Sequence, residues 1–385
     1  MSPKTDRSRA VPTLSRLVLA LAATALLACG GGDGAAATTA PVSPVPPPPT
    51  RPLAMIGSDL SALPALEGLG ATYTDSLGRR DAVRILRDAG HATVRLRLFV
   101  DPTGDDVVVN DLPYTLALAA RARAAGASVL LDFHYSDTWA DPGRQTVPAA
   151  WRTLPLEALE AEVERYTADV MAQFRARGLL PRWVQLGNEI DGGLLWPHGR
   201  LGDGSATPRA GFGRLLRAAV RGVRQVVASP DTTAVLLHWS QGGDVAGARW
   251  FVAQLDAERV AFDGLALSYY PWWHGSLASL RTTIDAIGEE RGVDVFVVET
   301  AYPWRPDWVA PAGATGPLAF ERSPAGQQAF ARALMATVAA TRRGAGVLWW
   351  YPEAVPVPGR TVWAGGALAL FDASGRLLPA AGAFR

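Results

Sequence analysis

Eight short apolar segments, separated by stretches long enough for helices, constrain the fold of this chain more than any other feature. They fall at residues 54–58, 93–99, 128–133, 183–187, 233–238, 264–269, 294–299 and 346–350. Several lack polar alternation, such as Ser128-Val-Leu-Leu-Asp132 and Val295-Phe-Val-Val298. Continuous apolar runs suit parallel strands buried on both faces. The segments between them carry helical period. Val83, Leu86 and Ala89 share one face and Gly90 supplies a stop. Phe330, Leu334 and Val338 recur at i, i+4 and i+8 behind Ser323-Pro324, an N-cap followed by proline in the first turn. Eight βα units close into a barrel more readily than they spread into an open sheet. The alternative, an open doubly wound sheet, lacks a G-x-G-x-x-G turn after its first strand. The expected class is therefore α/β, a (β/α)8 TIM barrel in a single domain over residues 53–385.

The first 52 residues read differently. Asp6, Arg7, Arg9 and Arg16 precede an apolar run at residues 17–28, the pattern of a secretory signal. That run is too short to span a membrane comfortably, which takes about 20 residues. It ends Leu26-Leu27-Ala28-Cys29, which resembles a bacterial lipobox whose Cys is lipidated. The alternative is an ordinary cleavage site beside a buried core cysteine. Cys29 is the single cysteine, so it has no disulfide partner in the chain. Residues 29–52 are rich in Gly, Ala, Thr and Pro and read as a stiff tether. The expected division is a lipoprotein signal at 1–28, a lipidated linker at 29–52 and the barrel beyond.

Charge and composition exclude several chemistries. The net charge is +1, and no basic field for nucleic acid exists. The only lysine is Lys4, inside the expected signal. A mature chain without lysine cannot form a Schiff base, hold pyridoxal phosphate covalently or use a P-loop lysine. No cofactor is expected.

In a barrel, chemistry sits where strands end and βα loops begin. The strand ends are heavily loaded here. Asp59 follows the first. The second holds Arg95 and Arg97, and the third leads into Asp132, His134, Asp137 and Trp139. Asn188-Glu189 follows the fourth and His238 ends the fifth. The sixth leads into Tyr270 and Trp272, the seventh into Glu299 and Trp304, and the eighth ends at Trp350. Two glutamates on strands four and seven face each other across the mouth of an eight-stranded ring. A retaining glycosidase needs two carboxyls about 5–5.5 Å apart, one protonated and one ionised. Asn188 can hydrogen-bond a sugar 2-hydroxyl. Tyr270 with either Arg95 or Arg97 can hold Glu299 ionised and aimed. Both arginines point to the same side of their strand, so parity does not separate them. Trp139, Trp272, Trp304 and Trp350 offer indole faces to sugar rings, although core packing accounts for some of the 13 tryptophans. His134, His198, His238 and His274 raise a metal reading, but strand one lacks a His-x-His pair and no metal is expected. His134 and His238 read better as hydrogen-bonding groups toward or behind a substrate, as do Asp59 and Asp137. His91, at the opposite end, reads as structural.

These strings resemble clan A glycoside hydrolases, and more narrowly the family 53 arabinogalactan endo-β-1,4-galactanases. The resemblance rests on Thr93-Val-Arg-Leu-Arg97, Asp132-Phe-His-Tyr-Ser-Asp-Thr-Trp-Ala-Asp-Pro142, Gly187-Asn-Glu-Ile190 with Gly193-Leu-Leu-Trp-Pro197, Ser268-Tyr-Tyr-Pro-Trp-Trp-His-Gly275, Val298-Glu-Thr-Ala-Tyr-Pro303 and Ala369-Leu-Phe-Asp372. It implies Glu189 as acid/base, Glu299 as nucleophile, and endo-cleavage of the β-1,4-galactan side chains of pectic type I arabinogalactan.

The chain also departs from that pattern. Residues 305–316 hold one carboxylate where bacterial relatives carry a calcium loop, and calcium takes 6–8 oxygen ligands. No calcium is expected there. Strand eight reads Trp350-Tyr-Pro-Glu353 where Trp-Glu-Pro is common. The competing readings are another clan A β-glycanase, a mannanase or endoglucanase, and a non-catalytic glycan-binding surface lipoprotein. A secreted monomer is expected, touching the membrane only through its lipid. Outer-membrane or cell-surface placement is favoured because Gly30, not Asp, follows Cys29.

Overall fold

The computed structural model describes residues 52–104, 107–202, 206–230, 232–316 and 318–385. The expected signal, Cys29 and all but the last linker residue lie outside the described residues. Eight parallel strands form a ring: β1 Met55–Asp59, β2 Thr93–Leu98, β3 Ser128–Phe133, β4 Trp183–Leu186, β5 Ala234–Trp239, β6 Gly264–Tyr269, β7 Asp294–Thr300 and β8 Gly344–Trp349. Each pairs with its chain neighbours, and β8 pairs with β1 to close the barrel. The expected strands are all present, with boundaries within two residues.

Helices cover the outside: α1 Ala82–Asp88, α2 Leu112–Ala124, α3 Leu156–Ala176, α4 Ala206–Val226, α5 Val245–Ala257, α6 Leu277–Arg291 and α7 Pro324–Ala339. Their starts are set by side chains that accept otherwise orphaned N–H groups. Asp81 accepts from Arg84 N, Asp111 from Tyr114 N and Ser323 from Gly326 N. A 3₁₀ turn at Pro379–Phe384 follows β8 in place of an eighth helix. It packs below β1 and β2, where Phe384 stacks on the His91 ring at 4.4 Å between centroids. The His91 Nδ1 meets Ser58 Oγ at 2.8 Å and its Nε2 meets Ala381 O at 3.2 Å. His91 is thus a structural residue at the end away from the mouth.

The barrel interior is layered. Met55, Leu130, Trp183, Leu236, Ala266 and Phe296 form an apolar floor, with the Trp183 and Phe296 rings edge to face at 6.4 Å. Side chains along a strand alternate in direction, so the next inward residue lies two positions on. Those residues are Asp132, Gln185, His238 and Ser268, all buried and polar. Strand β7 breaks the alternation. Leu267 pairs with Val297 and Ser268 with Glu299, leaving Val298 as an extra residue. Phe296 and Val298 both pack with the floor. Strict alternation would have turned Glu299 outward; the bulge turns it in.

The floor tests the packing account. Trp183→Ala should lower unfolding free energy by about 3–5 kcal/mol, measured by urea denaturation. A loss under about 1 kcal/mol would mean that the floor repacks around the missing ring.

Candidate active site

One guanidinium organises the mouth of the barrel. Arg95 is fully buried. Its Nη1 lies 2.9 Å from Asp59 Oδ2 and 2.9 Å from Glu299 Oε1. Its Nη2 lies 2.9 Å from Asp132 Oδ2 and donates to Asn188 Oδ1 at 2.7 Å. Burial disfavours the Arg95 charge, but Asp132, Glu299 and Asp59 more than offset this. Burial would likewise raise Asp132, yet Arg95 and His134 hold its carboxyl below the usual range. Sequence parity left Arg95 and Arg97 equivalent; Arg95 is the one that meets Glu299. The Arg97 guanidinium instead lies 4.3 Å from the Trp139 ring centre.

The two glutamates sit in different surroundings. Glu299 is 6% exposed and accepts from Tyr270 Oη at 3.0 Å through Oε2. Glu189 follows Gly187, whose φ is +88°, and itself adopts the left-handed region at φ +46°. That conformation costs free energy in a non-glycine residue and is typical of functional sites. Ser268 Oγ donates to Glu189 Oε1 at 2.7 Å. Carboxylate oxygens of the pair lie within 4.8 Å of one another. Burial pushes both carboxyls up. Repulsion from Glu299 adds to the rise at Glu189, which goes well above the usual range. Arg95 and the Tyr270 hydroxyl restrain the rise at Glu299. The first proton of the coupled pair therefore sits on Glu189, beside an anionic Glu299.

A cleft of about 540 Å³ opens over the pair. Of the residues expected at the site, Glu189, Glu299, Arg95, Arg97, His134, Trp139, Asn188, Tyr270 and Trp350 line it. Asn188 Nδ2 donates one of its two hydrogens to Ala140 O at 2.9 Å. Five expected residues do not line the cleft. Asp59 is turned to Arg95 and Ser61. His238 is fully buried behind Glu189. Asp137 ties two loops by accepting from Asp101 N and Ala149 N. Trp272 is 1% exposed and packs on Tyr270 and Trp308. Trp304 donates from Nε1 to Gly366 O, fastening the loop after β7 to the loop after β8.

Trp273, one of the tryptophans that follow a strand end in the sequence, is 37% exposed and also lines the cleft. Trp363, Tyr351 and Arg144 line it too and were not expected there. Trp363 lies on a long irregular loop, where no periodicity signals orientation. Trp139, Trp350 and Trp363 form a chain of edge-to-face contacts along one wall. Tyr351, at φ +57°, stands where the resemblance places a glutamate. Glu353 turns away and accepts from Ala62 N at 3.0 Å. Gln185 and Ser268 could have been found by counting two residues up each strand from the floor.

Among the described residues, Glu189, His238 and Glu299 bring possible metal-ligand atoms within 4.8 Å of one another. Both His238 ring nitrogens are already engaged, by Glu189 N at 3.2 Å and Ser268 Oγ at 3.0 Å. Arg95 already supplies the positive charge beside Glu299. The arrangement suits acid and nucleophile chemistry at one bond: a neutral carboxyl and a carboxylate, close together at the base of an aromatic cleft.

Comparison with known proteins places this geometry. The family model described as "Glycosyl hydrolase family 53" matches residues 55–384. A protein of Aspergillus terreus named "Probable arabinogalactan endo-beta-1,4-galactanase A" is 38% identical over 315 residues, 79% of this chain and 86% of that protein. The "Endo-beta-1,4-galactanase" of Bacillus subtilis is 34% identical over 318 residues, 79% of this chain and 71% of that one. The solved "Ignisphaera aggregans GH53 catalytic domain" superposes with a TM-score of 0.79 at 31% identity, covering 90% of this chain and 99% of that one.

A third carboxyl near the pair gives a pH test. Asp191 accepts from Ser240 N at 2.8 Å and from Ser240 Oγ. Burial nevertheless pushes Asp191 up to about 6, against roughly 3.9 when unfolded. The folded state therefore binds this proton more tightly, and stability falls as pH rises between those two values. Relative to Asp191→Asn, the wild type should lose melting temperature from about pH 4 to about pH 6, with a constant gap above. A gap independent of pH would remove the assignment.

Proposed function

Because this chain belongs to glycosyl hydrolase family 53, matched over residues 55–384, we propose that it cleaves internal β-1,4-galactosidic bonds of pectic galactan with retention of configuration. The observation that carries the reading is the carboxyl pair, whose oxygens lie within 4.8 Å. So close an approach of one oxygen from each carboxyl supports a double displacement, with carboxyls about 5–5.5 Å apart, over an inverting site, where they stand about 6.5–9.5 Å apart to house a water. The galactose preference rests on kinship with the named galactanases of Aspergillus terreus and Bacillus subtilis.

In the first step Glu189 gives its proton to the glycosidic oxygen as the C1–O bond breaks. Glu299 forms a bond to C1, and the shortened chain leaves as an alcohol. In the second step water attacks C1, Glu189 takes the water proton and the C1–Glu299 bond breaks. Arg95 and Tyr270 bond Glu299 on separate oxygens, so the anion is aimed without being protonated. Burial holds the Tyr270 hydroxyl in its neutral form throughout. The other Asn188 amide N–H meets the 2-hydroxyl, a contact that strengthens in the transition state. Trp139, Trp350, Trp363 and Trp273 offer faces and edges to the apolar C–H sides of the galactose rings.

Incubation with lupin or potato galactan, with products sized over time, should release galacto-oligosaccharides. Glu189→Ala should cut turnover about 10²–10⁴-fold, the scale of general acid loss. Glu299→Ala should abolish it while the fold, read by circular dichroism, persists. Binding of galactan with no turnover by the wild type would instead establish a glycan-binding protein. Cleavage of another β-glycan in preference would reassign the substrate.

The tether belongs to the same proposal. Residues 1–28 act as a lipoprotein signal, and Cys29 carries the lipid that holds the enzyme at the bacterial cell envelope. A single acyl chain gives marginal membrane binding, so stable attachment calls for more than one chain. Cys29→Ser should move the protein from the membrane fraction to the soluble fraction. A wild type already soluble would remove the anchor.

A further inference from the structure

We propose that Ser268 and His238 act as positioning residues that hold the Glu189 carboxyl with its proton on the oxygen facing the cleft. The inference rests on the reading of Glu189 as acid/base. Its basis is a ring of hydrogen bonds that leaves Glu189 by the backbone and returns to it by the side chain.

The Glu189 N–H points at His238 Nδ1 at 3.2 Å. A backbone N–H can only donate, so this Nδ1 accepts; the acceptor Asn188 Oδ1, 3.1 Å from the same nitrogen, takes its hydrogens from Arg95 Nη2 and Gln185 Nε2 instead. The Gln185 amide nitrogen, another donor, reaches the same Nδ1 at 3.1 Å. His238 is fully buried, and burial together with Arg95 pushes its ring well below the ordinary histidine range. A neutral ring that accepts at Nδ1 carries its hydrogen on Nε2. That Nε2–H donates to Ser268 Oγ at 3.0 Å. Among the described residues Glu189 Oε1, at 2.7 Å, is the acceptor left for the one hydrogen of the Ser268 hydroxyl, which donates to it. Ser268 is itself fully buried.

The direction of that last bond decides where the Glu189 proton sits. Oε1 already receives the Ser268 hydrogen, so a proton on Oε1 would set two hydrogens against each other. The proton of the neutral carboxyl therefore occupies Oε2. No described residue bonds Oε2, and Glu189 lines the cleft. The transferable proton faces the glycosidic oxygen. After transfer the same Ser268 O–H stabilises the new carboxylate through Oε1, and Oε2 is free to take the proton from water. The ring also secures a residue whose φ of +46° is unfavourable for glutamate. Without the Ser268 hydroxyl, the proton can settle on Oε1, pointing away from the substrate.

Substrates that differ in their need for a proton test this. The leaving alcohol of a galacto-oligosaccharide requires protonation; a 2,4-dinitrophenyl leaving group does not. Both are assayed as kcat/KM, which reports the first step. Ser268→Ala should lower kcat/KM on galactotetraose about ten- to hundredfold, toward the scale of a lost general acid. On dinitrophenyl β-galactobioside it should change less than about threefold, and Ser268→Thr should restore most of the loss. Equal loss on both substrates overturns the relay, as does no loss on galactotetraose or failure of Thr to restore it. Glu189→Ala is the control. If it spares the dinitrophenyl substrate, the acid/base reading stands whatever Ser268 shows. If it damages both substrates equally, that reading fails first. Should Ser268→Ala not fold, Ser268→Cys, of similar size but with a weak donor, reads the same ratio.

Discussion

The buried Arg95 guanidinium is the interaction on which the rest of the site depends. It lies within 2.9 Å of three carboxylates, from β1, β3 and β7, and reaches Asn188 after β4. Taking one such cation out of water costs several kcal/mol, and attraction repays it only when every donor is well placed. Four strand ends thus meet at one side chain, and displacing any of them would uncover a buried charge. A hydrophobic plug of similar volume would serve stability as well. What Arg95 adds is a defined position and charge for Glu299. The apolar floor below supplies stability, and the polar layer above supplies geometry.

Two local departures from regular backbone complete the placement. The extra residue at Val298 turns Glu299 into the barrel, and the left-handed turn at Glu189 brings the second carboxyl toward it. A regular strand cannot present both Val298 and Glu299 inward, and a regular βα loop would not fold Glu189 back over His238. Each departure costs free energy and each is tied down. Glu299 is held by Arg95 and Tyr270, and Glu189 by His238 at its backbone and Ser268 at its side chain.

Much of this was legible in the sequence because it follows from period and position. Apolar runs marked all eight strands, and Gly90 and Ser323-Pro324 marked helix ends. The loaded strand ends marked the mouth. What escaped depends on contacts between distant segments. Parity could not separate Arg95 from Arg97, since both face inward; the choice is made by which carboxylates surround each. Trp272 and Trp304 sit at strand ends, yet one turns under Tyr270 and the other fastens a loop. Trp363 lies far from any strand end, and the loop after β8 carries it to the cleft wall. The bulge in β7 has no signature in Val-Phe-Val-Val-Glu, because every residue there suits a strand.

The ordering of the two carboxyls follows from placement rather than burial. Both are enclosed, and enclosure alone would raise both and separate neither. Glu299 has a cation at 2.9 Å on one oxygen and a phenol at 3.0 Å on the other. Glu189 has a neutral hydroxyl on one oxygen and open cleft at the other, with Glu299 and Asp191 as the nearby charges that push it further. Exchanging the two side chains' surroundings would exchange their roles. On the proposed reading the proton donor is the carboxyl that lies farther from Arg95, and the Arg95 guanidinium on β2, bound to Glu299, sets the direction of the reaction across the cleft.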